Sequence, residues 1–154
     1  MAWARAICKC EDCGAEFEIH KECINRAEAD RYEEWAARHY TVCDDCKQKR
    51  VEKTVDDAGC AQLTGSPKQI EWANSIRAKF INYVNARVKE LKTTAKYDSN
   101  NADKYFEHIK MFKDTLNYVL STKTESKWWI DHRTYSGMAW DSFIRNEYNN
   151  ISSK

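Results

Sequence analysis

Four cysteines in two C-x-x-C pairs, Cys10 with Cys13 and Cys43 with Cys46, constrain this chain more than any other feature. Two intervening residues allow both sulfurs of a pair to reach one metal ion, and four thiolates in a tetrahedron suit Zn²⁺. Gly14 follows the first pair, where a glycine can adopt the left-handed conformation needed as the chain leaves the metal. The sequence therefore predicts one structural zinc site formed by these four cysteines.

The other cysteines leave two alternatives open. The chain has seven cysteines in all, and an odd number with paired spacing favours a metal site over disulfide bonds. A redox C-x-x-C motif is the main rival, but it normally occurs once and within a βαβ pattern, which this sequence lacks. His20 and Cys23 have the same spacing and form a possible substitute ligand pair. Cys8 and Cys60 are predicted to lie outside the site.

The rest of the sequence predicts a mainly α chain. One proline and four glycines among 154 residues are too few for the turns of a multi-stranded barrel or sandwich. Large side chains alternate with small ones over residues 2–8, which puts Trp3, Arg5 and Ile7 on one face, and apolar residues alternate with polar ones over residues 16–20. Both patterns predict strands, and together they predict a short β-hairpin around the first cysteine pair. Residues 24–40 then follow a helical pattern. A hairpin, a helix and two cysteine pairs together predict a zinc ribbon.

The clearest helix start in the chain follows Gly65. Ser66 suits the N-cap, Pro67 suits the first turn, and Gln69 completes a capping box with Ser66. Apolar residues spaced by three or four predict a helix from Pro67 to about Tyr97, and a second amphipathic helix is predicted after a polar break.

These patterns predict two domains: the zinc ribbon over residues 1–62, and a helical domain built on two long amphipathic helices over residues 63–154. No stretch approaches the roughly 20 consecutive apolar residues of a membrane span. The N-terminus is interrupted by charge and cysteine too early for a signal peptide. We therefore expect a cytoplasmic protein that does not bind membranes.

Three motifs in this sequence carry a family resemblance. They are the segment LTGSPKQIEWANSIR that begins at Leu63, the C-x-x-C-G knuckle at Cys10, and the WIDHR stretch over residues 129–133. Together they resemble small, mostly uncharacterised zinc-ribbon proteins of bacteria, phages and mobile elements. Pro67 stands where those proteins more often have an acidic residue, which is compatible with the same helix start. The resemblance implies a shared fold and a mobile-element origin, and it implies no activity.

The net charge of +1 hides an asymmetry along the chain. Residues 1–65 contain ten Lys or Arg and fourteen Asp or Glu, whereas residues 66–154 contain fifteen and ten. Cations on phosphates, with tryptophans on bases, favour weakly selective nucleic-acid binding by the second part. The candidate residues for this contact are Lys79, Arg87, Lys89, Lys92, Lys127 and Arg133.

No enzyme motif is found in the sequence: it has no P-loop, no G-x-S-x-G and no H-E-x-x-H. We therefore expect a non-enzymatic binding protein whose partner is a nucleic acid, a nucleoprotein or a protein that handles one. The alternative is a phage or mobile-element protein that inhibits a bacterial defence nuclease, as anti-CRISPR proteins do. An acidic surface can occupy a cationic nucleic-acid channel, and Glu28, Asp30 and Glu34 are the candidate residues for it.

Overall fold

The computed structural model describes all 154 residues and contains one two-stranded sheet and six α-helices. In chain order the elements are β1 (Ala2–Lys9), β2 (Glu16–Cys23), α1 (Arg26–His39), α2 (Asp44–Asp57), α3 (Pro67–Tyr97), a 3₁₀ turn (Ser99–Asn101), α4 (Ala102–Thr122), α5 (Ser126–Asp131) and α6 (Gly137–Ser152). The prediction of a mainly helical chain that begins with a β-hairpin is confirmed. None of these helices combines the length and the apolar composition required to cross a bilayer.

The chain divides into two compact units, Met1–Arg50 and Val51–Lys154, and α2 contains residues of both. The predicted domains, residues 1–62 and 63–154, are expected to fold independently, which the division into compact units does not test. Their boundary stays a prediction.

In the first unit, α1 covers one face of the hairpin. The strands pair antiparallel, with Ala2 opposite Cys23 at one end and Lys9 opposite Glu16 at the other. The side chains of β1 that point towards α1 are small, and they are buried against the small side chains of that helix: Ala4, Ala6, Cys8, Ala29 and Ala36. Small residues allow the helix to approach the sheet closely, but they bury little apolar surface.

The opposite face of the hairpin is exposed. Trp3 and Ile7 are 64% and 60% exposed on β1. Between them Arg5 forms an ion pair with Glu18 across the strands. The predicted alternation over residues 2–8 is therefore real, and its larger side chains lie on the solvent side.

In the second unit, α3 begins at the predicted position. Gln69 N donates to Ser66 Oγ (3.3 Å) and Ser66 N donates to Gln69 Oε1 (3.0 Å), which completes the capping box. The helix ends at Tyr97, and Asp98 then accepts hydrogen bonds from Asn101 and from the Tyr105 hydroxyl (3.0 Å). These contacts fix the turn that brings α4 back along α3.

The core of the second unit is aromatic at its centre. Phe80 of α3 is fully buried, with its ring centroid 4.6 Å from that of Trp140 and 5.8 Å from that of Trp129. Ile144 and Val119 complete this part of the core and are also fully buried. Because these side chains are large, their burial contributes much more hydrophobic free energy than the alanines of the first unit.

Candidate metal centre

The four cysteines of the two C-x-x-C pairs converge on one point. Their Sγ atoms all lie within 4.8 Å of one another, and those of Cys13 and Cys43 are 3.8 Å apart. Four sulfurs bound to zinc at about 2.3 Å in a tetrahedron would be separated by about 3.8 Å. The donor set and its spacing therefore fit a single tetrahedrally coordinated metal ion.

The first pair lies where the hairpin turns. Cys10 N donates to Ala15 O (2.8 Å) and Gly14 N donates to Cys10 O (2.9 Å), which closes a tight loop around the two cysteines. Gly14 has a φ of +72°, the left-handed conformation that the sequence predicts after this pair. The loop places Cys10 in a buried position and Cys13 in an exposed one.

The second pair lies at the N-terminus of α2. Lys47 N donates to Cys43 O (3.0 Å), so Cys43 is at the start of the helix and Cys46 is in its first turn. Free backbone amides and the helix dipole at this end stabilise thiolates. Cys43 N also donates to Cys10 Sγ at 3.4 Å. This bond links the two pairs directly.

Arg50 connects α2 to the loop of the first pair. Its guanidinium donates to both carboxylate oxygens of Asp12 (2.7 and 2.6 Å) and to Glu11 (3.3 Å). These ion pairs depress the pKa of Asp12 below its usual range, because the carboxylate is held in its charged form. Arg50 is a positioning residue that the sequence analysis missed, because its partners are 38 and 39 positions away and no local pattern relates them.

The four thiols do not share the same acidity. The backbone amide of Cys43 is the main cause that lowers the pKa of Cys10 to about 6. At Cys46 the effect of the helix N-terminus is outweighed: a hydrogen bond with the thiol of Cys43, together with burial and the neighbouring thiolate of Cys10, raises its pKa to about 12. A positive ion among the sulfurs would favour the thiolate form of all four.

The alternative ligand pair lies away from this site. Cys23 is opposite Ala2, at the end of the hairpin remote from the cysteine loop, and it is buried beside Ala4 and Ala29. His20 is exposed and contacts Glu18. The four-sulfur group therefore includes neither of them. Cys8 is buried and its Sγ lies 3.7 Å from Ala36 O.

Some of the basic residues proposed to contact nucleic acid already have a carboxylate or aromatic partner in the protein, and others have none. Arg87 donates to Glu90 (2.5 Å) and lies 3.9 Å from Asp141, and Lys127 pairs with Asp131 (2.6 Å). Arg133 lies over the ring of Trp72 at 5.9 Å. The remaining three, Lys79, Lys89 and Lys92, are exposed on α3 and form no ion pair.

The acidic candidates all have partners within α1 or at its start. Glu28 accepts from Ile24 N (2.8 Å), and its own amide donates to Asn25 Oδ1 (2.9 Å), so it belongs to the N-terminal cap. Asp30 pairs with Arg26 and Glu34 pairs with Arg38, each one helical turn apart. These contacts are the ordinary ones of a solvated helix.

A scan against models of protein families, a search of curated proteins and a search of solved structures found no match for this chain. The resemblance of the segment at Leu63 to zinc-ribbon proteins of mobile elements therefore stays a hypothesis. What this chain does has to be argued from its own residues.

Proposed function

We propose that this chain is a non-enzymatic nucleic-acid-binding protein, with a zinc ribbon in its first unit and a cationic binding face on α3. The observation that carries this proposal is the charge of α3, which has seven cations and two carboxylates. The remaining residues of the chain after α3 contain eight of each sign. The positive charge of the second unit is therefore concentrated on one helix.

The lysines of α3 are available for an external anion. Its five lysines are exposed and form no ion pair; they are Lys68, Lys79, Lys89, Lys92 and Lys96. Of the other twenty cations of the chain, nine have a carboxylate partner. From Lys79 to Lys96 the helix rises by about 25 Å. A row of this length can contact several consecutive phosphates, which supplies most of the affinity in weakly selective binding.

The other candidates of the set are expected to contribute less. Arg87 and Lys127 would have to give up carboxylate partners before they bind phosphate. Trp72 is half exposed and lies under Arg133, so this pair offers an aromatic surface for a base beside a cation for its phosphate.

The proposed role of the metal is structural. Four cysteines fill the tetrahedral coordination of Zn²⁺ and leave no position for a substrate. The ion would hold the hairpin to the start of α2, and it would supply stability that the small side chains under α1 do not.

The test compares two charge-reversal variants that have the same net charge as each other. We expect the double variant K89E/K92E to lose at least about tenfold in affinity for a labelled oligonucleotide at low salt, because it removes two phosphate contacts. The matched control is R145E/K154E, which changes the same charge at two exposed cations without ion pairs in the same unit. Equal losses in both variants, or no binding by the wild type, would contradict the proposal.

The alternative function, inhibition of a defence nuclease through an acidic surface, is less well supported. Glu28, Asp30 and Glu34 each already have a partner within or just before α1. If the wild type retards no nucleic acid and instead blocks a nuclease, the reversals E28K, D30K and E34K should abolish the inhibition.

A further inference from the structure

A pocket of about 370 Å³ opens in the second unit between the end of α2, α3 and α4. Its apolar wall consists of Ile81 on α3 and of Leu116 and Leu120 on α4. Polar side chains from all three helices complete the lining: Thr54, Asp57, Asn82, Asn85 and Asn117. The volume is within the range of sites that take a small planar molecule.

Three of these polar groups are carboxamides without a partner in the protein. The side chains of Asn82, Asn85 and Asn117 form no hydrogen bond with another residue. Asn82 and Asn85 are three residues apart on α3, so they lie on one face of it, and Asn117 contributes from α4. The amides therefore converge on one pocket from two helices.

The carboxamides of the lining favour an uncharged ligand that has hydrogen-bond donors and acceptors next to one another. A carboxamide offers one acceptor and two donors in a plane, which matches the edge of a nucleobase. Asp57 is the only charged residue in the lining, and its Oδ2 accepts from Lys53 (2.7 Å). A carboxylate only accepts hydrogen bonds, so it favours a base that carries an amino group over thymine or uracil, which carry none.

Two exposed lysines lie beside the pocket, both on the same side of it. Lys89 is four residues beyond Asn85 on α3, and Lys113 is four residues before Asn117 on α4. Since α4 returns along α3 after residues 98–101, both lysines lie on the side of the pocket nearest that turn, about 6 Å along each helix. Neither forms an ion pair. They are placed to bind the phosphates next to a base held by the amides.

We propose that this pocket binds one unpaired, amino-bearing nucleobase, adenine, cytosine or guanine, of a single-stranded nucleic acid. This inference rests on the proposed function and names its ligand more closely. A base within a duplex cannot enter a concave pocket between helices, whereas an unstacked base presents its hydrogen-bonding edge freely and can pack its face on Ala58 and Leu116, the partly exposed apolar residues of the lining.

The test compares 12-nucleotide homo-oligomers of dA, dC and dT by fluorescence anisotropy, with a DNA duplex of the same length. We expect wild type to bind dA or dC about tenfold more tightly than dT, the discrimination of one good bidentate contact. The triple variant N82A/N85A/N117A should bind all three oligomers within about twofold of one another, and it should keep the salt-dependent affinity that the lysines supply.

The matched control is N146A, at an exposed asparagine of α6 outside the pocket, which should keep the wild-type preference. Alanine has a higher helix propensity than asparagine, so thermal unfolding of the triple variant should occur at or above the wild-type midpoint. Wild-type binding without base preference, a duplex bound as tightly as dA or dC, or a preference that survives the triple change would each overturn this inference alone. If no oligomer binds at low salt, the proposed function itself fails.

Discussion

At the scale of single residues, the contact between Tyr83 and Asp141 has a defined pH dependence. The Tyr83 hydroxyl donates to Asp141 Oδ1 at 2.6 Å, across 58 positions of sequence. Burial of the phenol, followed by its hydrogen bond to the carboxylate, raises the pKa of Tyr83 to about 12. Since the pKa of an unfolded tyrosine is about 10, the folded state holds this proton more tightly. The stabilisation is therefore complete below pH 10 and is lost as the pH rises towards 12.

We predict that Y83F lowers the free energy of unfolding by about 1–2 kcal/mol near pH 8, because it removes one hydrogen bond to a charged acceptor. The difference between wild type and Y83F should shrink as the pH is raised from 10 to 12. Urea unfolding at a series of pH values would measure it. Y97F is the matched control, because Tyr97 is 88% exposed on the same helix and should show no such difference. A gap that stays constant across this range would contradict the assignment.

Single residues also show where sequence reasoning stops. The pair of Lys127 and Asp131 is one helical turn apart, so the sequence already contained the signal that this cation has a partner. The approach of Arg87 to Asp141 joins α3 to α6, and no spacing rule predicts it. Arg77 is buried to 1% exposure and donates to the carbonyls of Ala61 (2.8 Å) and Leu120 (3.3 Å). Its position on the apolar face of α3 was unexpected, because an arginine is normally assigned to the surface.

At the scale of elements, local signals determined how well a boundary could be predicted. The start of α3 is set by Ser66, Pro67 and Gln69, which act within one turn, so the sequence predicted it to the residue. The pocket of three asparagines depends on how the end of α2 meets α3 and α4. Polar residues on helices are ordinary surface residues in sequence, and only the packing of the helices brings these three together.

The N-terminal cap of α3 gives a prediction for this element. S66A should lower the stability of the second unit by about 1 kcal/mol, because it leaves the amide of Gln69 without an acceptor. S66D should retain the cap and remain within about 0.5 kcal/mol of wild type. The control is S75A, at a partly buried serine two turns into the helix whose hydroxyl donates only to the backbone carbonyl of Glu71, and it should also be close to neutral. Equal stability of S66A and S75A in urea unfolding would show that the cap is not used.

At the scale of the whole molecule, the two units are stabilised by different means. The first unit buries mostly alanine and cysteine side chains, and its four-sulfur group joins the hairpin to α2. The second unit buries Phe80, Trp129, Trp140 and Ile144 in one aromatic and aliphatic core. Hydrophobic burial can hold the second unit together by itself. The first unit has too little of it, so we expect a bound metal to supply much of its folding free energy.

Metal removal should therefore affect the two units unequally. We predict that C43S releases the metal and that amide hydrogen exchange then increases over residues 1–50, while the core of α3 and α4 keeps its protection. Far-UV circular dichroism should lose only the part of the helical signal that α1 and the start of α2 supply. A strong chelator added to wild type should have the same effect, and Zn²⁺ should reverse it.

C60S makes the same chemical change at a cysteine outside the sulfur group, and it should leave both metal content and exchange unchanged. If C43S instead unfolds the two units in a single transition, or if purified wild type contains no stoichiometric metal, the division of stabilising forces argued here is wrong.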